Sequence, residues 1–352
     1  MHTINNYKPT NYPPHLDKRD KAATPHKPTI PSHYKGVDVL KFAMALCVIM
    51  IHVIALNKPW NPGTGIDYLI SLAVPFFFIA SGFMLSSKTA LIATAAGRNA
   101  AIRKYALRIL KMYACWIAIY IPLSIWGEYA NPSEESMLRF AIVQLRSVFM
   151  FGEIRYSYPT WYLYSLCIAA TAYYFIRRKG LPVITLLICG IAGITLQYIV
   201  SQEVLPKTAG NLCLSVSRMT IGMGYLWIGI MFQRHMARVM RPGIAAIAGA
   251  TSCLLYLLDL PFWETVGSIA IFILAATVPS AGIGTKAALW MRRQSLWIYL
   301  THMYVLTPLA LSGMIGSPWW QYAVVAALCV VISQGLMAFS DTSRGAFLKK
   351  IT

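Results

Sequence analysis

Acidic residues are scarce in this 352-residue chain: 12 Asp and Glu stand against 31 Lys and Arg, and charged residues of both signs make up only 12%. That is about half the usual share of roughly 25% in soluble domains. With 57% of residues hydrophobic, a water-soluble fold of this length has too little polar surface to cover its apolar side chains, whereas a bilayer accepts them. Cysteine pairs are missing too. The seven cysteines all fall inside or beside apolar runs, and no two are spaced as CxxC. This excludes a structural zinc site and gives no disulfide framework, leaving them as small buried hydrophobes. Residues 1–34 contain no apolar run of signal-peptide length. They are rich in Pro, Lys, His and Asn and read as a disordered cytoplasmic tail. Its histidines (His2, His15, His26, His33) lack a regular ligand spacing, and no metal site is expected there or elsewhere.

There is no tandem repeat of 20–50 residues, nor a Gly/Pro-broken segment matched between the two halves. The second absence argues against a transporter built on inverted repeats. The net charge of +19 is not gathered on one basic face but divided into short clusters between apolar runs. Nucleic acid is therefore not the expected partner. Clusters of this kind orient a membrane protein.

Ten apolar segments, near 37–57, 66–86, 104–126, 161–177, 182–200, 216–233, 243–258, 265–281, 295–312 and 320–340, approach the ~20 residues that span the hydrocarbon as a helix. The expected fold is an all-α polytopic membrane protein of about ten transmembrane helices. Its membrane domain covers 35–341, with a short cytoplasmic tail at 342–352. The stretch 133–151 has the pattern of an amphipathic interfacial helix. With the first residue placed inside, inside segments hold 24 of the Lys and Arg residues. Outside loops hold five: Lys58, Arg139, Arg146, Arg155 and Lys207. The bias has the right sign at every crossing, so both termini are expected in the cytoplasm.

Ionisable side chains within such segments are expensive and point to function. Lys41, His52, Arg218 and His302 are of this kind, and Asp38 sits near the first helix's inner edge. Lys41 and His52, eleven residues apart, differ by about 20° around a helix and about 16 Å along it. One face thus carries a cation near the inside and an imidazole deeper across. A cation there suits the anionic part of a cytosolic donor, and an imidazole takes protons near neutral pH. Taken singly, Lys41 also reads as a snorkelling anchor and His52 as a hydrogen-bonded packing residue.

These residues lie in a series of motifs. YKGVDVLKFAMALCVIMIHV at 34–53 has a basic residue, ten positions, then His, as Lys41 and His52. VPFFFIASGFMLSSK follows at 74–88, PTWYLYSLCIAATAYYF at 159–175, SRMTIGMGYLWIGIMF at 217–232 and SLWIYLTHMYV at 295–305. In content and order the series resembles the acyltransferase 3 family of membrane-bound acyl transferases. The family's Arg-x-x-Arg motif departs from pattern here: in AIRKYALRILKMY, Arg108 takes the second place but Tyr105 the first, with Arg103, Lys104 and Lys111 around them.

The resemblance implies an enzyme of the bacterial inner membrane. It would move an acyl group, most simply acetyl, from cytosolic acetyl-CoA or another acyl-CoA to a hydroxyl of a carbohydrate or glycolipid in the cell envelope, amid membrane lipid. In that scheme Lys41, Arg108 and the neighbouring Arg103, Lys104 and Lys111 hold the donor, and His52 is the general base, with an acyl-imidazole on His52 as a variant. Tyr299, Tyr162 or Arg218 would supply an oxyanion donor, and His302 occupies a family position. Glu153, Trp161, Tyr162 and Arg218 would face the acceptor. Trp161 also reads as part of an aromatic belt, and the outside acids Glu153, Asp259 and Glu264 as solvated loop groups. Two other readings remain at this point: a carrier or flippase that makes no bond, and a haem carrier with His52 and His302 as axial ligands.

Overall fold

Pro75 has no N–H to give the carbonyl of Ser71, so one apolar run becomes two helices, α2 (Thr64–Ser71) and α3 (Ala73–Ala90). At the break, the Leu72 carbonyl accepts a hydrogen bond from Ser268 Oγ at 3.0 Å. In the computed structural model, which describes residues 34–133, 136–277 and 282–348, similar local rules set the other elements. They are α1 (Lys35–Leu56), α4 (Ala95–Ala130), α5 (Met137–Met150), α6 (Thr160–Lys179), α7 (Ile184–Ser201), α8 (Lys207–Arg234), the short α9 (Met236–Val239), α10 (Pro242–Leu257), α11 (Trp263–Thr277), α12 (Thr285–Ser312) and α13 (Pro318–Ser340).

Thr94 caps α4 and Ser136 caps α5 by accepting from the N–H three residues on. Pro242 and Pro318 open α10 and α13, where a missing N–H costs nothing. Gly180 and Gly313 close α6 and α12 in the left-handed conformation.

Among the described residues there is no strand. Each of the ten apolar segments falls on helix, the second divided between α2 and α3, and the expected amphipathic stretch is α5. Among the described residues, five helical stretches are long and apolar enough to cross a membrane: Lys35–Leu56, Thr64–Ala90, Ala95–Ala130, Ile184–Ser201 and Pro318–Ser340. α4, α8 and α12 begin about nine or ten residues before the apolar runs, because sequences such as TKAALWMRRQ, though polar, are made of good helix formers. The tail at 1–33 with its four histidines, the far end of the 265–281 segment and residues 349–352 lie outside the described residues.

Among the described residues the core is formed chiefly by α1, α3, α4, α6, α8 and α12. Gly82 and Gly229 let α3 and α8 touch backbone to backbone: a Cβ on Gly82 would overlap the Leu226 carbonyl, and one on Gly229 the Ile79 carbonyl. Gly190 and Gly224 do the same for α7 and α8. Small residues at close helix crossings are how helices associate where water cannot drive them together. Tyrosines fasten α12 to its neighbours. Tyr120 of α4 donates to the Leu300 carbonyl at 2.8 Å, Tyr304 donates to that of Ile119, and Tyr299 to that of Pro159.

Candidate active site

α1 and α12 pack along each other, and their histidines meet. The rings of His52 and His302 stack with centroids 5.2 Å apart and planes 24° from parallel. Tyr158 stacks on His52 at 6.0 Å, and Tyr299, one turn before His302, lies 6.3 Å from the His302 ring. His302 is fully buried, whereas His52 keeps partial exposure. The two imidazoles are therefore not equivalent. Nδ1 of His302 lies 3.1 Å from the carbonyl oxygen of Ile298. A carbonyl only accepts, so Nδ1 carries the proton and Nε2 presents its lone pair. That Nε2 is buried with no hydrogen-bond partner among the described residues. The rings meet through their faces, unlike axial ligands, whose in-plane lone pairs converge on a metal between them.

Tyr158 is supplied by the connection 151–159, which is held by its own hydrogen bonds. Ser157 Oγ bridges the N–H and carbonyl of Ile154 at 2.7 and 2.9 Å, and Thr160 Oγ1 donates to the Gly152 carbonyl at 2.9 Å. Arg155 pairs with Glu128 and donates to the Asn131 carbonyl at 2.8 Å. Tyr156 is buried with φ at 64°. Its ring lies where a Cβ on residue 127 would be, which is why glycine stands there. A non-glycine residue in that conformation is strained unless its surroundings hold it. The connection thus delivers Tyr158 and Glu153 as a fixed piece.

Towards the start of α1, Lys41 is surrounded by charge. Asp38, Lys88 at the end of α3 and Arg292 near the start of α12 all act on it, and Lys88 also feels Arg108 of α4. Among the described residues, four cations from four helices are thus linked through Lys88 and Arg292, with Asp38 as the acid that acts on Lys41. Of the α4 cluster, Arg108 is the member whose charge acts on Lys88, and it is exposed on the helix surface as Arg103, Lys104 and Lys111 are. Tyr105, in the place of the missing arginine, is instead within reach of Ser81. Ser81 lies 3.0 Å from the hydroxyl of Tyr162.

Towards the other end of α1 a cavity of about 330 Å³ opens between Ile51 and Ile54 of α1, Asp67 and Ser71 of α2, Trp161, Gln197, Arg218 and Glu264. Arg218 binds Glu153 at 2.8 Å, donates to the Phe151 carbonyl at 3.1 Å and sits 5.3 Å from the Trp161 ring centre. Burial pushes the Glu153 carboxyl above its ordinary value, and the Arg218 guanidinium works against that. Its second oxygen, Oε2, is buried and unpartnered.

The structure therefore brings together His52, His302 and Tyr299 in one group, and Glu153, Trp161 and Arg218 in another. Tyr162 is separated from Trp161, because neighbours on a helix diverge by about 100°. It packs against Phe77, Phe78 and Tyr299 with its hydroxyl on Ser81. The hydroxyls of Tyr162 and Tyr299 and the guanidinium of Arg218, the three expected oxyanion donors, are each engaged elsewhere in this structure. Sequence reasoning missed Tyr158, Lys88, Arg292 and Asp67. A signal existed for Arg292, which precedes His302 by ten residues much as Lys41 precedes His52 by eleven. Tyr158 gave no such sign, since its loop carries no periodicity.

What these features define, among the described residues, is an all-helical, apolar bundle with paired imidazoles, a basic group towards the start of α1 and an acidic cavity that meets α1 at Ile51 and Ile54, on another face from His52. The family model described as "Acyltransferase domain" (acyltransferase 3) matches residues 34–338, and the chain belongs to that family. It is also similar to an amino-acid racemase of Enterococcus faecalis, 32% identical over 148 residues, 41% of this chain and 19% of that protein. A serine/alanine racemase of Enterococcus gallinarum is 29% identical over 99 residues, 27% of this chain and 14% of that protein. The matched stretches thus cover less than a fifth of the length of these curated relatives. No solved structure matches.

Proposed function

We propose that this chain is a multi-pass membrane acyltransferase that takes an acyl group, most simply acetyl, from cytosolic acyl-CoA to a hydroxyl of a cell-envelope carbohydrate. The observation that carries the reading is the placement of His52: partly exposed, stacked on a buried histidine, and about 16 Å along α1 from a cation cluster. Ten membrane crossings with both termini inside fit this arrangement, because the cations that come together (Lys41, Lys88, Arg108, Arg292) are those that the charge bias puts at the inner ends of their helices.

Lys41, Lys88, Arg108 and Arg292 hold the phosphates of coenzyme A, whose charge they lack in one another's company. His52 removes the proton from the acceptor hydroxyl as its oxygen bonds to the thioester carbonyl carbon. The imidazolium then returns the proton to the sulfur as the carbon–sulfur bond breaks, giving ester and free thiol. His302 keeps the His52 ring oriented through the stack. Its Nε2 lone pair is a resting place for an N–H or O–H that turns towards it. Arg218 and Trp161 border the acceptor, and Glu153 holds Arg218 in place as its ion-pair partner.

The experiment uses the protein in nanodiscs with radiolabelled acetyl-CoA and a cell-envelope extract, comparing wild type with His52→Ala. Label on a glycan with wild type alone is the expected result. Failure to bind or turn over any acyl-CoA tried would favour a carrier that lines a path with the same residues.

A further inference from the structure

The cavity at the outer end of α1 has a charge imbalance. Its one cation, Arg218, is already neutralised by Glu153 at 2.8 Å, and Glu153 does not line the cavity. Two further carboxylates do: Asp67 from α2 and Glu264 from the first turn of α11. Among the described residues neither forms an ion pair or a side-chain hydrogen bond, and each is only partly open to water. They lie close enough for the charge of Asp67 to act on Glu264. Two carboxylates half out of water and near each other are unfavourable while both are charged, and either a proton or a bound cation relieves them.

The rest of the lining narrows what a bound cation here would be. Ser71 and Gln197 are neutral hydrogen-bonding groups, whereas Ile51, Ile54, Ile70, Val74 and Ile221 make an apolar wall. A volume of about 330 Å³ is at the small end of ligand pockets. A ligand carboxylate would meet Asp67 and Glu264 with no free cation to receive it.

We propose that this cavity binds a small hydroxylated primary amine, an amino sugar unit, with its ammonium between Asp67 and Glu264 and its hydroxyls on Ser71 and Gln197. The ammonium is the recognition handle, and protonated nitrogen is no nucleophile, so a hydroxyl is the group left to react. The inference deepens the acceptor side of the proposed function without requiring acyl transfer, because a carrier with this cavity would hold the same ligand.

The test measures equilibrium binding of tritiated glucosamine to the full-length protein in nanodiscs near pH 7, with no acyl-CoA present. Saturable binding is expected, displaced by unlabelled glucosamine but not by glucose, N-acetylglucosamine or serine. Asp67→Asn and Glu264→Gln should each weaken it by about tenfold or more, the usual scale for one charge-assisted hydrogen bond. Glu203→Gln, at an exposed acid outside the cavity, should leave it unchanged. Displacement by glucose or N-acetylglucosamine as good as by glucosamine would overturn the proposal, since hydroxyls alone would then be read. Equal displacement by serine would overturn it as well, by showing Arg218 available to a carboxylate. Absence of saturable binding would do the same. The competitor series on wild type decides the matter even where a variant folds poorly. Acetyl-CoA turnover measured separately tells whether acyl transfer stands or falls on its own.

Discussion

The two ends of α1 look onto opposite chemistries. Near its start, Lys41, Lys88, Arg108 and Arg292 form a linked group of cations, and Asp38 acts on Lys41. Towards its other end, a cavity lined by Asp67 and Glu264 has one guanidinium, itself held by Glu153. Charge of one sign is concentrated in each place, and His52 lies level with the cavity along α1 but on another face of the helix. At the acidic end the two carboxylates are half-buried and near each other, whereas at the basic end Lys41 and Arg292 are half-buried and Lys88 and Arg108 are exposed.

The strongest way to break this comparison is at the imidazoles. His52→Ala should lower transfer by about 10²–10⁴-fold, the span of general-base contributions, while donor binding persists. Coenzyme A release and donor binding, measured on the same preparation, check this, and a variant with full turnover would remove His52 from the chemistry. At the basic end, Lys88→Ala and Arg292→Ala should each raise the KM for acyl-CoA by about tenfold, with Arg103→Ala near wild type. Equal effects at all three would mean that the whole basic surface, not this group, binds the donor.

At the acidic end, Arg218→Ala leaves Glu153 half-buried without its partner. The loss of stability should be about 1–2 kcal/mol, below that of a dry pair because both side chains keep some solvent contact. Thermal unfolding of Arg218→Ala against Arg218→Ala/Glu153→Gln should show partial recovery in the double variant. His302→Gln should reduce kcat by a few-fold without moving the KM for acyl-CoA, since it touches His52 and no cation. A KM change in place of a kcat change would assign His302 to the donor end. Finally, a cysteine in place of Lys207 should react with an impermeant maleimide from outside intact cells. Reaction only after lysis would invert the two ends relative to the membrane.

Much of this was legible before any coordinates. The apolar segments and the lack of acid marked the helices, and the Lys41–His52 spacing marked one face of α1. The helix ends were less visible, because apolar length records where side chains avoid water, whereas caps and propensity decide where the backbone stops. The partners of the marked residues were hidden for a different reason. Lys88, Arg292 and Asp67 are ordinary charges near helix ends, and only the packing of α3, α12 and α2 beside α1 makes them members of a site. Tyr162 was grouped with Trp161 because the two are adjacent in sequence, yet a helix turns adjacent residues to different faces.

What the sequence determined by itself is the class of fold, the family and the residues that cannot be casual, since an ionisable group in an apolar run carries its cost wherever it lies. Tertiary structure alone decided which of those residues meet. Contact between His52 and His302, 250 positions apart, depends on α1 and α12 packing together. So does the division of the charges into a basic group and an acidic cavity, because helix packing rests on side-chain volumes and glycine contacts distributed over the whole chain.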